Sequence, residues 1–362
     1  MNRRRVLISP LNWGFGHAGR MIPLALALRD RGHEVIFGTD LSMIPALSHE
    51  LQGIRVIDIP GATMQYSRIL PQYLAILLRL PQLIMSSARE HNDLKRLAEN
   101  LHPDIIISDN RFGFFHKTIF SVYVTHMIRI AFPAPFRFLE PLGMWMHRKL
   151  IERYDLCLIP DYPGPVNLSG RLSHGMRLPC NAIYAGPFSR FSRPVTEWLS
   201  ANLPDSYRCL ILSGPEPQRS ILKDKVTAVT SDMPLVILSG TGEHNVITTE
   251  ENITTVSNPD TATMRYFITH SSVVISRSGY TTIMELNSLG KSAVIIPTPG
   301  QPEQEYLSEY LNRNGRFIGI SQHEINKISH ISSGDLKHSG GDYPDSVPLL
   351  ENVLNILSDK EI

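Results

Sequence analysis

Cysteine is scarce in this 362-residue chain: Cys157, Cys180 and Cys209 are three in number and far apart. They make neither a metal-ligand cluster nor an even disulfide framework, so a reducing cytoplasm is the compartment they fit. Net charge is nearly absent as well, with 35 Lys and Arg against 34 Asp and Glu for a formal charge of +1. No global field draws the chain to nucleic acid, which excludes that class of partner except through a local patch. A long apolar run is also missing. The most apolar stretch, residues 69–85, is interrupted by Pro71, Arg79 and Pro81 and falls short of the ~20 residues that span a bilayer. Met1 to Arg5 is basic like the head of a signal peptide, but the short apolar run behind it leads into Pro10, Asn12 and Gly14 and reads as a first strand.

Apolar residues make up 42% of the chain and charged residues 19%, a balance that supports folded cores rather than disorder. The length exceeds one ordinary core and implies two domains. Val6 to Ser9 reads as a strand, followed by a glycine-rich turn and a helical run from Ile22 to Leu28 that Gly32 ends. Glu34 to Gly38 and Ile54 to Ile59 read as further strands, and Ser87 to Asn100 as a helix. Ile105, Ile106 and Ile107 suit a strand buried on both faces, with Asp109 at its carboxyl end. Leu156 to Ile159 and Ala182 to Phe188 follow. The pattern restarts with strands at Cys209 to Leu212, Leu235 to Leu238, Val273 to Ser276 and Ala293 to Ile296. Helices end at Val229 and run from Thr281 to Ser288 and from Glu303 to Arg313, and a last one spans Val347 to Leu357. Alternation of this kind implies an α/β fold of two Rossmann-like domains with mainly parallel sheets, ligand lying across a cleft at strand carboxyl ends. The junction is expected at residues 187–194, giving domains 1–190 and 191–331 and a C-terminal helix in 346–362 that returns to the first domain.

Three constellations carry chemistry. Gly14-Phe15-Gly16-His17-Ala18-Gly19 has the spacing of a dinucleotide fingerprint with Asp40 downstream, but Pro10 to Trp13 lengthen a turn that such motifs keep tight. The other reading places His17 where a substrate hydroxyl approaches, as a general base, with Asp109 holding its tautomer. The bland reading has His17 bonding backbone and Asp109 capping a helix. Second, Ser276-Arg277-Ser278-Gly279 opens a helix whose N–H groups and dipole favour a phosphate, and Glu285, two turns in, can accept from ribose hydroxyls. Third, Pro297 to Tyr306 is a strand end, rigid loop and helix start in which Gln304 and Glu305 can read sugar hydroxyls. The last two motifs also admit ordinary readings, as a solvent-facing helix acid and as N-terminal helix acidity.

Taken together, Ser276 to Leu286 and Pro297 to Tyr306 resemble the donor-site motifs of glycosyltransferase family 28, and Gly14 to Pro23 more loosely resembles that family's N-terminal Gly-His loop. The resemblance implies a GT-B fold with an acceptor lobe, a donor lobe, and metal-independent transfer with inversion, without a cofactor beyond the UDP-sugar co-substrate. It implies Ser278 and Gly279 on the diphosphate, Glu285 on the ribose, Gln304 and Glu305 on the donor sugar, and His17 as base with Asp109 as orienter. Gly14, Gly16, Gly214, Arg219 and Arg277 complete the expected substrate-binding set. One departure stands out: Ser213-Gly214-Pro215-Glu216-Pro217-Gln218-Arg219 replaces a flexible glycine-rich turn. Its two prolines remove N–H donors, Glu216 opposes a diphosphate, and Arg219 is the cation able to compensate.

The expected partners are a nucleotide-sugar donor and a glycan or lipid-linked acceptor. Residues 66–89 and 132–149 mix apolar with basic side chains, a composition that can seat a helix on an anionic bilayer. The bland reading, a core helix with a solvated rim or the wall of an acceptor cleft, is favoured because the prolines spoil a long amphipathic face. Peripheral contact with the inner face of the cell membrane is the corresponding expectation for an otherwise cytoplasmic protein. Two rivals remain: a sugar-nucleotide epimerase of the same architecture, and a non-catalytic nucleotide-sugar binder.

Overall fold

The computed structural model describes residues 3–61, 72–193, 204, 206–230, 233–241, 244–336 and 343–359, without the side chains of 72–81, 83 and 84. The chain divides into two units, the first holding Tyr73–Phe188 with the described residues before 62 and after 342, the second the described residues of Ser189–Asp342.

The first unit contains strands β1 (Arg5–Pro10), β2 (Glu34–Thr39), β3 (Arg55–Asp58), β4 (Ile105–Asp109), β5 (Phe120–Val124), β6 (Leu156–Ile159) and β7 (Ala182–Tyr184). Helices α1 (Phe15–Asp30), α2 (Ile44–Glu50), α3 (Gln72–Leu101) and α4 (Glu140–Ile151) connect them. The strands form one sheet in the order β3-β2-β1-β4-β5-β6-β7, and every pairing is parallel. Val6, Leu7 and Ile8 on β1 and Ile105 to Ile107 on β4 are fully buried, as unbroken apolar runs in a sheet covered on both faces must be. Register levels the carboxyl ends at the centre, pairing Pro10 with Asp109 and Asp109 with Val124.

Helix α1 begins earlier than its apolar run suggests. Gly14, at φ 103, takes the left-handed conformation that starts it, so Gly16 and His17 stand in its first turn rather than in an open loop. Helix α3 likewise runs through position 81 and begins well before residue 87, so Pro81 does not end it. The residues 66–71 lie outside the described set.

The second unit contains β8 (Arg208–Leu212), α5 (Gln218–Val229), β9 (Leu235–Ser239), β10 (Val246–Glu250), β11 (Ile253–Ser257), α6 (Thr261–His270), β12 (Val273–Arg277), α7 (Tyr280–Ser288), β13 (Val294–Ile296), α8 (Pro302–Arg313) and β14 (Ile318–Gly319). Their order is β10-β11-β9-β8-β12-β13-β14, with only β10 and β11 antiparallel. Leu210, Leu222, Ile237, Ile275 and Val294 meet in its core. A final helix, α9 (Val347–Ser358), belongs to the first unit: Arg31 pairs with Glu351, and His33 Nε2 lies 3.0 Å from Ser358 Oγ.

Both sheets therefore fit the two Rossmann-like halves read from the sequence. The connection after β4 is packed closely against α3: a Cβ on Gly113 would lie 2.0 Å from the Ser87 carbonyl oxygen. Because the opposing atom is backbone, Gly113→Ala is expected to cost about 1–3 kcal/mol as overpacking does. Chemical denaturation should show a lower midpoint, and an unchanged one would mean that α3 yields freely.

Candidate active site

At the levelled carboxyl edge of the first sheet, four polar side chains converge. His17 is in the first turn of α1 and Arg20 one turn on, Asp109 closes β4, and His126 follows β5. His17 Nδ1 lies 3.1 Å from Asp109 Oδ2. Arg20 donates from Nε to Asp109 Oδ2 at 2.8 Å and from Nη2 to Asp109 Oδ1, a two-pronged pairing that suits the planar guanidinium. Its Nη2 is also 3.0 Å from His17 Nδ1, and its Nη1 3.1 Å from His126 Nδ1. Arg20 and Asp109 are buried, while the His17 side chain keeps 21% of its surface. Imidazole can thus meet a ligand, whereas the groups behind it cannot.

Electrostatics follow from that burial. Desolvation pushes the Asp109 carboxyl upward, but the Arg20 guanidinium and then His17 outweigh it and hold it below the ordinary value, so it is ionised. His17 is lowered, first by desolvation and then by Arg20, against the opposite pull of Asp109. A neutral imidazole results, and whether Nδ1 donates to Asp109 or accepts from Arg20 decides which nitrogen faces outward with a lone pair.

The residue after Asp109 is braced too. Asn110 has φ 55, sparsely used by non-glycine residues, and its Oδ1 accepts from Tyr123 Oη at 3.1 Å. Tyr123 Oη is in turn 3.2 Å from His147 Nε2 on α4, and the half-exposed Phe112 packs edge-on to His147 at 6.0 Å. Helix α4 is thereby tied to the end of β4.

In the second unit, β12 ends at Arg277 and α7 starts behind Gly279, which caps it without a side-chain hydrogen bond and faces open space where a Cβ would stand. Arg277 is buried and, among the described residues, donates to carbonyls, of Gln218 at 2.9 Å, Pro297 at 3.1 Å and Ile296 at 3.5 Å. Three connections at the carboxyl edge are joined by this one cation. Among the described residues no carboxylate is paired with it, and burial lowers its pKa to about 10. Ser278 Oγ donates to the Gln304 carbonyl at 2.8 Å, which brings the second and third sequence motifs together.

Several expected ligand-binding side chains already have protein partners. Glu285 is buried, and its Oε1 accepts from Arg190 Nε at 2.7 Å. Gln304 Oε1 accepts from the Thr298 amide at 2.9 Å and Glu305 Oε1 from the Gly300 amide at 2.8 Å, so both brace the loop before α8. Arg219 is committed to Glu216 at 2.7 Å, which answers that acid's charge within its own turn and leaves the guanidinium less available to a diphosphate. Gly214, at φ 88, forms the turn after β8. Sequence reasoning missed Arg20, His126, Asn110, Tyr123, His147 and Arg190. Only Arg20 left a trace, as a cation three residues from His17 just before the apolar run of α1.

Comparison with known proteins sharpens the class. Residues 219–335 match the glycosyltransferase family 28 C-terminal domain. An "uncharacterized glycosyltransferase" of Methanosarcina mazei is 22% identical, with 86% of this chain and 84% of that one covered. The UDP-N-acetylglucosamine--N-acetylmuramyl-(pentapeptide) pyrophosphoryl-undecaprenol N-acetylglucosamine transferase of Corynebacterium diphtheriae is 24% identical over 90% and 86%. Among solved structures, the calicheamicin glycosyltransferase CalG4 superposes with a TM-score of 0.62 at 13% identity, all of both chains being covered. The SsfS6 glycosyltransferase of Streptomyces sp. SF2575, complexed with thymidine diphosphate, gives 0.59 at 14% identity over 98% and 99%. The chain is a glycosyltransferase with the GT-B fold. The matched span lies within the second unit and includes both donor-motif segments, so the likeness extends well beyond two short stretches.

The His147 anchor supplies a stability test. Burial lowers its pKa from 6.5 to about 4, so between those values the unfolded chain takes a proton that the folded one refuses. Stability is complete above pH 6.5 and declines toward pH 4, on the order of 3 kcal/mol in all at 1.4 kcal/mol per pH unit. His147→Gln should flatten that part of a pH series of denaturation midpoints. A slope identical to the parent's would show that other groups produce it.

Proposed function

We propose that this glycosyltransferase transfers a hexose or N-acetylhexosamine from a UDP-sugar to an acceptor hydroxyl, with inversion and without a metal. The observation that carries the reading is the start of α7, where an open glycine cap stands beside the buried cation Arg277. Backbone N–H groups and the helix dipole there favour a diphosphate, and the Arg277 charge adds to them. In this reading Ser278 and Gly279 take the diphosphate. Glu285, steadied by Arg190 through one oxygen, offers the other to a ribose hydroxyl, and Gln304 and Glu305 reach the sugar from the first turn of α8.

His17 is the proposed base. The acceptor gives its proton to Nε2 as its oxygen forms the bond to the anomeric carbon, and the bond to the diphosphate oxygen breaks with its electron pair leaving on the nucleotide. Charge on that leaving group is met by the start of α7 and by Arg277.

Calorimetry with UDP and UDP-N-acetylglucosamine should detect binding, and loss of the Arg277 charge in Arg277→Gln should weaken it. Donor hydrolysis, with water as acceptor, should release UDP, and His17→Ala should slow that release about 10²- to 10⁴-fold while donor affinity stays. Isomerised donor without UDP release would favour an epimerase, and binding without either reaction a non-catalytic binder.

The acceptor is proposed to be a glycan or lipid-linked precursor met at a membrane surface. Among the described residues no helix is long and apolar enough to cross a membrane. Phe138, Leu142, Trp145 and Met146 nonetheless recur at helical spacing on and just before α4, all more than half exposed, with Arg137, Arg148 and Lys149 alongside. An apolar stripe flanked by cations suits an anionic bilayer. Flotation with phosphatidylglycerol vesicles should recover the protein, and Trp145→Glu should release it. Equal recovery of the variant would remove α4 from that role.

A further inference from the structure

The residues behind His17 contain more than a histidine and its acid. Arg20 from α1 and Asp109 from β4 lie within 3.1 Å of the ring, and His126, from the segment after β5, stands behind Arg20 at 3.1 Å and adds a smaller downward pull on His17. An aspartate alone behind a buried imidazole favours the imidazolium, because protonation converts an uncompensated negative charge into a neutral pair. Arg20 reverses that count. With the guanidinium engaging both Asp109 oxygens, the neutral imidazole completes a site of zero net charge, and protonation would leave one positive charge beside another in a buried place.

Geometry adds a second constraint. The guanidinium holds the carboxylate with Oδ2 turned to His17 Nδ1 at 3.1 Å, while Arg20 Nη2 lies 3.0 Å from the same nitrogen. A proton on Nδ1 gives a charge-assisted bond to Asp109 and leaves the Nε2 lone pair outward. The other tautomer accepts from Arg20 and points an N–H outward, which cannot receive a proton. Both Asp109 oxygens already draw on Arg20, so the Nδ1–H form completes the acid's remaining acceptor capacity and sets Nε2 for its task.

We propose that Arg20 is a positioning residue for glycosyl transfer: by neutralising Asp109 and fixing its orientation, it keeps His17 uncharged with Nε2 as the proton-accepting nitrogen. This rests on the reading of His17 as the base. Arg20 itself is buried and touches no reacting atom.

The primary readout needs no substrate. In protein labelled with ¹⁵N-histidine, the His17 resonances are assigned by their loss in His17→Ala, and long-range ¹H–¹⁵N spectra report tautomer and titration. The parent protein is expected to show the Nδ1–H form and to titrate below the ordinary histidine value. Arg20→Gln should raise that titration by more than about one pH unit, a tenfold change in proton affinity, whereas Arg20→Lys, which keeps the charge, should hold it low. If Arg20→Gln does not fold, Asp109→Asn gives the opposite sign: the uncompensated Arg20 should push His17 lower still. An Nε2–H tautomer in the parent protein, or coincident titration of the parent with Arg20→Gln or Asp109→Asn, would overturn the inference. The acid limb of UDP release should move with the resonance. UDP release that survives His17→Ala would instead dismiss the base while leaving the assignment of Arg20's electrostatic effect intact.

Discussion

A buried ion pair at the end of one strand organises the first unit's chemistry. Asp109 has no exposure and would be costly there as a lone carboxylate, yet the protein places it where a parallel sheet gathers its strand ends. Arg20 makes that placement tolerable, since removing one member of such a pair typically costs 3–5 kcal/mol. Once the pair is fixed, His17 has a defined partner, and the Gly14 turn and first turn of α1 have to deliver its ring to that point.

The second unit solves a related problem with the sign reversed. Arg277 is a cation enclosed among carbonyls, binding the connections after β8, β12 and β13 through Gln218, Ile296 and Pro297. Carbonyl dipoles stabilise a guanidinium only in part, so the site retains positive character beside the start of α7. Glu285, the one acid buried in that helix, is answered by Arg190 rather than by Arg277. Charge is thereby sorted: the acid is matched by Arg190, and the cation behind the helix start is held by carbonyls, which in the proposed reading leaves it to attract the diphosphate.

Much of this was readable beforehand, for identifiable reasons. The isoleucines of β4 announce a strand buried on both faces and place Asp109 at its end, and the contact with His17 follows from that placement. The helix starts of α7 and α8 show in their Ser-Gly and Pro-Gly turns. What escaped depends on distance or on masking. Strands β10 and β11 are rich in threonine, with an exposed edge that lacks a long apolar run, and β5 has a serine and a tyrosine among its apolar residues. Arg190 meets Glu285 across 95 positions, which no local pattern reveals. Arg20 reads in isolation as a solvent-facing helix cation, and only the fold shows that its partner is the same carboxylate assigned to His17.

The claim on which the functional account turns is that a nucleotide diphosphate rests at the start of α7. A crystal structure with UDP bound tests it most directly. The account predicts phosphate oxygens within hydrogen-bond distance of the Ser278 and Gly279 amides, on the side where Arg277 lies. Ordered UDP elsewhere in the second unit, with that helix start left to solvent, would contradict it.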